Sequence, residues 1–379
     1  MRNPPLGLYI HIPWCVQKCP YCDFNSHTLK QGLPEREYIA HLLADLTEDA
    51  RLTGDRKVET VFIGGGTPSL FSPDSIAYLL AEARQRVPFA ADAEITLEAN
   101  PGTIEAARFK GYVEAGVNRF SIGVQSFEAK HLTTLGRIHD PHQAHFAIEQ
   151  AKQSGVTSFN IDLMHGLPDQ SIDNALNDLN EAISQQPAHL SWYQLTIEPN
   201  TPFYSKPPTL PDDDILWEIQ SQGHKLLTAA GYQQYEISGY SKAQFQCQHN
   251  LNYWRFGDYL GIGCGAHGKI TNTHNGTISR TVKVKHPRGY MTLDRAYLDT
   301  ASNVASEDLA FEFFMNRFRL VEPCPIVDFN AYTGTSLTRE QTQALNKAIA
   351  QGLLTQSETH WQVTPHGRRY LNSLLSAFV

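Results

Sequence analysis

The stretch LYIHIPWCVQKCPYC, residues 8–22, sets an apolar run directly before three closely spaced thiols. Leu8–Ile12 has the composition of a buried strand. Cys15, Cys19 and Cys22 follow it in a Cys-x3-Cys-x2-Cys pattern, with Tyr21 just before the last cysteine. Two thiols at Cys-x2-Cys spacing can chelate one metal or one corner of a cluster. A closed zinc site would want a fourth ligand, from His11, His27 or a distant cysteine. A [4Fe–4S] cube held by three cysteines keeps one iron open to a ligand that is not protein. Either way, the loop after the first strand is a candidate metal centre.

Working outward, the chain has 379 residues, 31 Lys and Arg against 39 Asp and Glu, and a formal net charge of −8. A hydrophobic fraction of 41% is enough for a substantial core and excludes general disorder. The acidic balance argues against a protein that coats nucleic acid. No apolar run approaches the ~20 residues that span a bilayer, and His11, Pro13 and two early prolines interrupt any signal-like h-region. Cys247, Cys264 and Cys324 are scattered, which does not suit a secreted disulfide framework. A reducing cytoplasm is the expected setting.

The first two hundred residues alternate between β-branched or aromatic runs and amphipathic stretches. Strands are expected near Leu8–Ile12, Val58–Ile63, Glu94–Glu98, Asn118–Val124, Phe159–Met164 and Leu190–Ile197. Helices are expected over Glu35–Leu52, Pro73–Val87, Ile104–Ala115, Pro141–Gln153 and Ile172–Ser184. Ser72 and Thr103 offer N-cap hydroxyls, and Gly116 and Gly155 follow helices where a left-handed residue is common. Six β-then-α units imply an α/β fold with a parallel sheet and right-handed crossovers. Prolines crowd Pro199–Pro211, a helix follows near Asp214–Ala230, and a Tyr- and Gly-rich stretch runs from Gly231 to Gly268. Near the C-terminus, a helix over Leu337–Gln351, a hairpin over Leu353–Val363 and a helix from Pro365 resemble a winged helix. With so few basic residues (Arg339, Lys347, Arg368, Arg369), that module is expected to pack or dock partners rather than bind DNA.

The cysteine pattern resembles that of the radical S-adenosylmethionine (radical SAM) enzymes, in which the open iron chelates SAM. The resemblance implies a partial (β/α)6 TIM-like barrel with the cofactor across the C-terminal strand ends. The strand ends fit that demand. GGGTPS (Gly64–Ser69) follows the second strand, and its glycines allow close backbone approach. Glu98, Gln125 and Asp162 end the third to fifth apolar runs, and Arg137 follows the fourth, where a guanidinium can clamp a carboxylate. Taken singly, each could be a capping residue on the rim.

Within that superfamily, LYIHIPWCVQKCPYC, GGGTPS, LEANP, GVQSF, LGR and NIDLMHGLP resemble the oxygen-independent coproporphyrinogen III oxidase family. Carried over residue by residue, the resemblance implies Cys15, Cys19 and Cys22 as cluster ligands. It puts Tyr9, Tyr21, Gly66, Thr67 and Glu98 about SAM, Gln125 and Asp162 on ribose, and Arg137 on the SAM carboxylate. Two departures separate the chain from the decarboxylase. Asp23-Phe24 stands where the decarboxylase has Gly-Cys after the third cysteine. HNLNYW, residues 249–254, is similar to the HNxxYW signature of the family's haem-chaperone branch. Imidazole is a standard haem ligand, which makes His249 the expected iron ligand, and Tyr253 and Trp254 offer flat apolar faces. Cys247, Cys264 and His267 are nearby alternatives.

The expected domains are a radical SAM core over 1–240, a haem-binding region over 241–290 and a winged-helix-like α+β module over 291–379. The resemblance implies a cytoplasmic haem carrier with a [4Fe–4S] cluster and exchangeable SAM. It further implies acceptor haem proteins such as respiratory enzymes, a haem or iron donor such as bacterioferritin, peripheral membrane association without a transmembrane segment, and a homodimer. The competing expectation is an enzyme that oxidatively decarboxylates coproporphyrinogen propionates.

Overall fold

Leu6–Ile12 (β1) is buried at every residue except Tyr9, as a strand with neighbours on both sides must be. It pairs in parallel with Val58–Gly65 (β2), and the series continues through Phe89–Ala99 (β3), Arg119–Gln125 (β4), Ser158–His165 (β5) and His189–Gln194 (β6). The crossover helices are Glu35–Asp49 (α1), Pro73–Arg86 (α2), Ala106–Glu114 (α3), Pro141–Gln153 (α4) and Ile172–Ser184 (α5). The computed structural model describes residues 1–30, 32–103, 106–292 and 295–378. The helix start expected at Ile104–Glu105 therefore lies outside the described residues.

Local signals account for the element boundaries. The Ser72 hydroxyl accepts from the Ser75 N–H, and Asp140 with Gln143 and Ser171 with Asn174 form reciprocal capping boxes. Gly116 and Gly155 adopt φ of 104° and 81° after their helices. The strand expected over Leu190–Ile197 stops at Gln194, just short of the proline-rich excursion, and a helix over Asp213–Ala229 (α6) follows it.

The sheet extends beyond the six expected strands. Gly239–Ser241 (β7) adds antiparallel to β6, and Asp258–Ile262 (β8) adds parallel to β1 on its free side. His267–Asn272 (β9), Thr277–Lys283 (β10) and Leu298–Asn303 (β11) continue from β8 as an antiparallel meander. The order is β11-β10-β9-β8-β1-β2-β3-β4-β5-β6-β7, with Gln233–Gln234 outermost. Among the described residues the two ends do not pair, so the barrel is open. β8 is anchored by Asp258, which is fully buried and accepts from Arg56 at 2.6 Å, Lys269 at 2.9 Å and the Thr271 N–H at 2.7 Å.

The C-terminal module has its own core, in which Phe314 packs against Phe318, Phe329, Trp361 and Phe378. Its wing pairs Leu354–Gln356 with His360–Val363, and Cys324–Pro325 joins as a third strand that the sequence pattern does not announce. Among the described residues no helix is long and apolar enough to cross a membrane.

Candidate cofactor and metal centre

Beyond β1 the chain passes through Trp14–Cys15, which pairs with His27–Thr28 and so ties the two ends of the cysteine loop together. Lys18 closes the loop further by donating to the carbonyls of Phe24 and Ser26. Cys15, Cys19 and Cys22 are free thiols of intermediate burial along one cavity of about 290 Å³. Burial raises the Cys15 and Cys22 thiols above the ordinary cysteine value, so a metal group binding them as thiolates must displace their protons. Among the described residues no three His, Cys, Asp or Glu side chains converge to hold one metal ion. A cube presents a separate iron to each cysteine, so its ligands stand further apart.

The strand ends supply the other walls. Gly65 has φ of 114°, and a Cβ there would lie 2.4 Å from the His11 ring; at Gly66 it would lie 2.6 Å from the Trp14 carbonyl oxygen. Only glycine therefore lets this backbone pass under the cysteine loop. The Gly65 N–H donates to Glu98 Oε2 at 3.0 Å. Burial, reinforced by Asp162, pushes the Glu98 carboxyl up to about 7 against the Gly65 N–H, which lowers it. Gln125, in the left-handed region at φ 71°, turns its amide so that Oε1 accepts from the Tyr193 hydroxyl at 2.7 Å. Asp162 accepts from Ser121 and Asn160 and is raised by burial. Arg137 donates to the Gly123 carbonyl at 2.8 Å and lies 3.6 Å from Cys19 Sγ, while its buried Nε has no partner among the described residues. Tyr21 and Thr67 also line this cavity.

A second cavity, of about 740 Å³, adjoins the first across Cys22, Phe24, Gly65 and Glu98. Tyr9 borders this second cavity rather than the first, with His11, Tyr253, Tyr259 and His267. The HNLNYW segment forms the short helix Gln248–Trp254 (α7) beside it. Tyr253 reaches the cavity, but His249 and Trp254 do not border it. His249 is 1% exposed, with Nδ1 2.9 Å from Thr60 Oγ1 and Nε2 2.9 Å from the Tyr253 hydroxyl, and its ring stacks on Phe62. Burial, then the charge of Arg119, lowers its pKa to about 3, so it is a neutral imidazole. Trp254 sits beneath the Arg319 guanidinium, packed on Tyr235, Leu251 and Leu320 at the seam with the C-terminal module. Cys247 and Cys264 are buried, the latter with Sγ 2.8 Å from the Lys285 carbonyl.

Residues that sequence reasoning passed over are Tyr193, Ser121 and Asn160, which orient Gln125 and Asp162, and Tyr259 and Lys285 at the larger cavity. Ser121 and Asn160 were legible in principle as polar residues inside apolar runs. Lys285 carried no such signal.

Comparison with known proteins follows the same lines. The radical SAM superfamily profile matches residues 9–179, and the HemN C-terminal domain profile matches residues 304–370. The chain is 61% identical to the heme chaperone HemW of Escherichia coli K12, over 100% of this chain and 99% of that one. The chain belongs to the HemW family of radical SAM proteins. The heme chaperone HemW of Haemophilus influenzae is 58% identical over 100% of this chain and 99% of its own, and that of Bacillus subtilis 33% identical over 98% of both. Coproporphyrinogen III oxidase (HemN) of Escherichia coli superposes with a TM-score of 0.84 at 24% identity, over 99% of this chain and 90% of that one, and so shares the fold. Membership of the radical SAM superfamily implies a [4Fe–4S] cluster and SAM. Three thiols along one cavity, beside a guanidinium with an unpartnered buried donor, fit that pair of groups.

Proposed function

We propose that this chain is a cytoplasmic haem carrier, which takes haem into the 740 Å³ cavity beside the cysteine loop and passes it to acceptor haem proteins. The observation that carries the reading is that cavity, bordered by the tyrosine of HNLNYW and by the loop of the cluster cysteines. Its volume lies in the range of about 300–1,000 Å³ typical of sites for ligands of this size. Cys15, Cys19 and Cys22 would hold the cluster. Tyr21, Gly66, Thr67, Glu98, Gln125, Arg137 and Asp162 would line the SAM pocket, with Tyr9 beside Glu98 on the adjoining cavity. Reduced, a cluster of this kind supplies one electron to SAM. The protein's own part would be to clamp the carboxylate through Arg137 and to hold ribose hydroxyls through Gln125 and Asp162.

On this reading residues 1–240 carry the cluster and SAM residues and 241–290 the haem residues of one continuous sheet, which runs on to β11 at Leu298–Asn303, and within 291–379 the docking module follows that strand. Respiratory haem proteins as acceptors, bacterioferritin as a donor of haem or iron, peripheral membrane association and a homodimer remain part of the proposal. Asp23-Phe24, with no thiol after the third cysteine, disfavours the decarboxylase. His249 can reach iron only if Tyr253 swings away from its Nε2.

An anaerobic haem titration of cluster-reconstituted protein, followed at the Soret band, tests the reading. Saturation near one haem per chain supports it. Absence of saturable binding, with conversion of coproporphyrinogen in the presence of SAM and a reductant, would replace it by the enzyme.

A further inference from the structure

We propose that His267, rather than His249, supplies the axial nitrogen to haem iron in the 740 Å³ cavity, with the Lys285 ammonium pairing with a propionate. The inference rests on the haem-carrier reading and names the ligand within it.

Three imidazoles border that cavity, and they differ in access: one is hydrogen-bonded through both nitrogens, one has its free nitrogen buried, and one is exposed. His11 is 4% exposed, with Nδ1 2.9 Å from the Tyr9 hydroxyl and Nε2 2.9 Å from the Asn25 carbonyl. His27 packs edge-on against His286 at 5.4 Å, and its Nε2, which has no hydrogen-bond partner among the described residues, is buried and closed to solvent. His267, the first residue of β9, is exposed to the cavity, and its ring has neither a hydrogen bond nor a ring contact among the described residues. Partial burial and the nearby charges of Lys285 and Arg280 lower its pKa, which keeps the imidazole neutral as an iron ligand requires. His249 lies outside the cavity with both ring nitrogens engaged, and binding through it would leave the Thr60 and Tyr253 hydroxyls without their partner. The HNLNYW histidine then serves to hold Tyr253 in place, and the tyrosine presents the flat face.

The remaining surroundings suit a porphyrin dianion. Tyr9, Tyr253 and Tyr259 supply ring surface. Lys285 borders the same space, and its ammonium has no acceptor or ion-pair partner among the described residues; a carboxylate beside it would form a charge-assisted bond.

The test uses the full chain with reconstituted cluster, titrated anaerobically with ferric haem and, in parallel, with metal-free protoporphyrin IX. His267→Ala is expected to weaken haem binding at least tenfold and to change the haem EPR and Soret signatures. Protoporphyrin binding should stay within about twofold, and added imidazole should restore the spectrum. His249→Gln is expected to leave the axial-ligand signature unchanged. An unaltered haem spectrum and affinity in His267→Ala would overturn the assignment, as would equal losses for haem and protoporphyrin, which would mean lost shape rather than lost ligation. If the unsubstituted chain bound neither probe, the haem-carrier reading itself would fall, an outcome distinct from either of these.

Discussion

Glu98 stands between the two cavities, and replacing it with Gln gives a sharp test of the electrostatics described above. Its carboxyl rises from 4.5 to about 7, through burial first and Asp162 second. In the unfolded chain the same group ionises near 4.5. Between those values the native state keeps a proton that the unfolded state has released, so stability falls as pH rises across the window and levels off above it. The rise corresponds to about 3 kcal/mol, and water in the cavities screens part of that. Gln keeps an oxygen for the Gly65 N–H and never ionises. Glu98→Gln is therefore expected to be about 2–3 kcal/mol more stable than the natural chain near pH 8, with the advantage shrinking toward pH 4.5. Urea unfolding of the cluster-free chain under reducing conditions, repeated across that range, measures it. If Glu98 faces the cationic end of SAM, SAM binding should also tighten as pH rises through about 7 in the natural chain but not in the variant. A stability difference that does not vary with pH, or a variant less stable at pH 8, would refute the argument.

Other substitutions probe the frame around the site. Asp258→Asn leaves Lys269, only 2% exposed, without its counter-charge and should cost about 3–5 kcal/mol in unfolding free energy. Adding Lys269→Met to that variant should recover much of the loss, and no recovery would mean that packing, not charge, dominates there. Gly66→Ala drives a Cβ into the Trp14 carbonyl and should destabilise the chain by more than about 2 kcal/mol while abolishing SAM binding; an unfolding midpoint equal to the natural chain's would contradict the crowding. Arg137→Lys removes the forked donor and should weaken SAM about tenfold to a hundredfold in equilibrium dialysis, so unchanged affinity would take Arg137 off the carboxylate.

The parallel core was legible because its strands are short apolar runs separated by amphipathic helices with readable caps, as at Ser72, Asp140 and Ser171. β8 escaped because Gly257, Gly261, Gly263 and Gly265 break up its surroundings, and because its specification lies in the buried charge of Asp258, which local patterning reads as a surface residue. The residues proposed for SAM could be expected to share one cavity because parallel strands deliver their C-terminal residues to one edge, so position in the run implies position in space. HNLNYW could be read as a motif but not as a geometry. Which of its three chemically able side chains faces a cavity depends on Thr60 and Phe62, from a strand almost two hundred residues away. His267 was legible only as one candidate among several, because nothing local to it marks an unengaged ring.

The partition between the cavities bears on why a carrier would keep a SAM pocket at all. Gly65 and Glu98 belong to both walls, and the cysteine loop contributes Cys22 and Phe24 to each. A ligand that changes the charge of Glu98 or the set of that loop on one side must change the free energy of binding on the other. Such coupling is reciprocal: the factor by which SAM alters haem affinity is the factor by which haem alters SAM affinity. Glu98 supplies a physical carrier for it, since a cation on the SAM side favours the carboxylate and a propionate on the haem side favours the protonated acid. The two ligands therefore pull one proton in opposite directions. On the haem-carrier reading, SAM is then expected to weaken haem binding, and haem to weaken SAM binding, by the same factor.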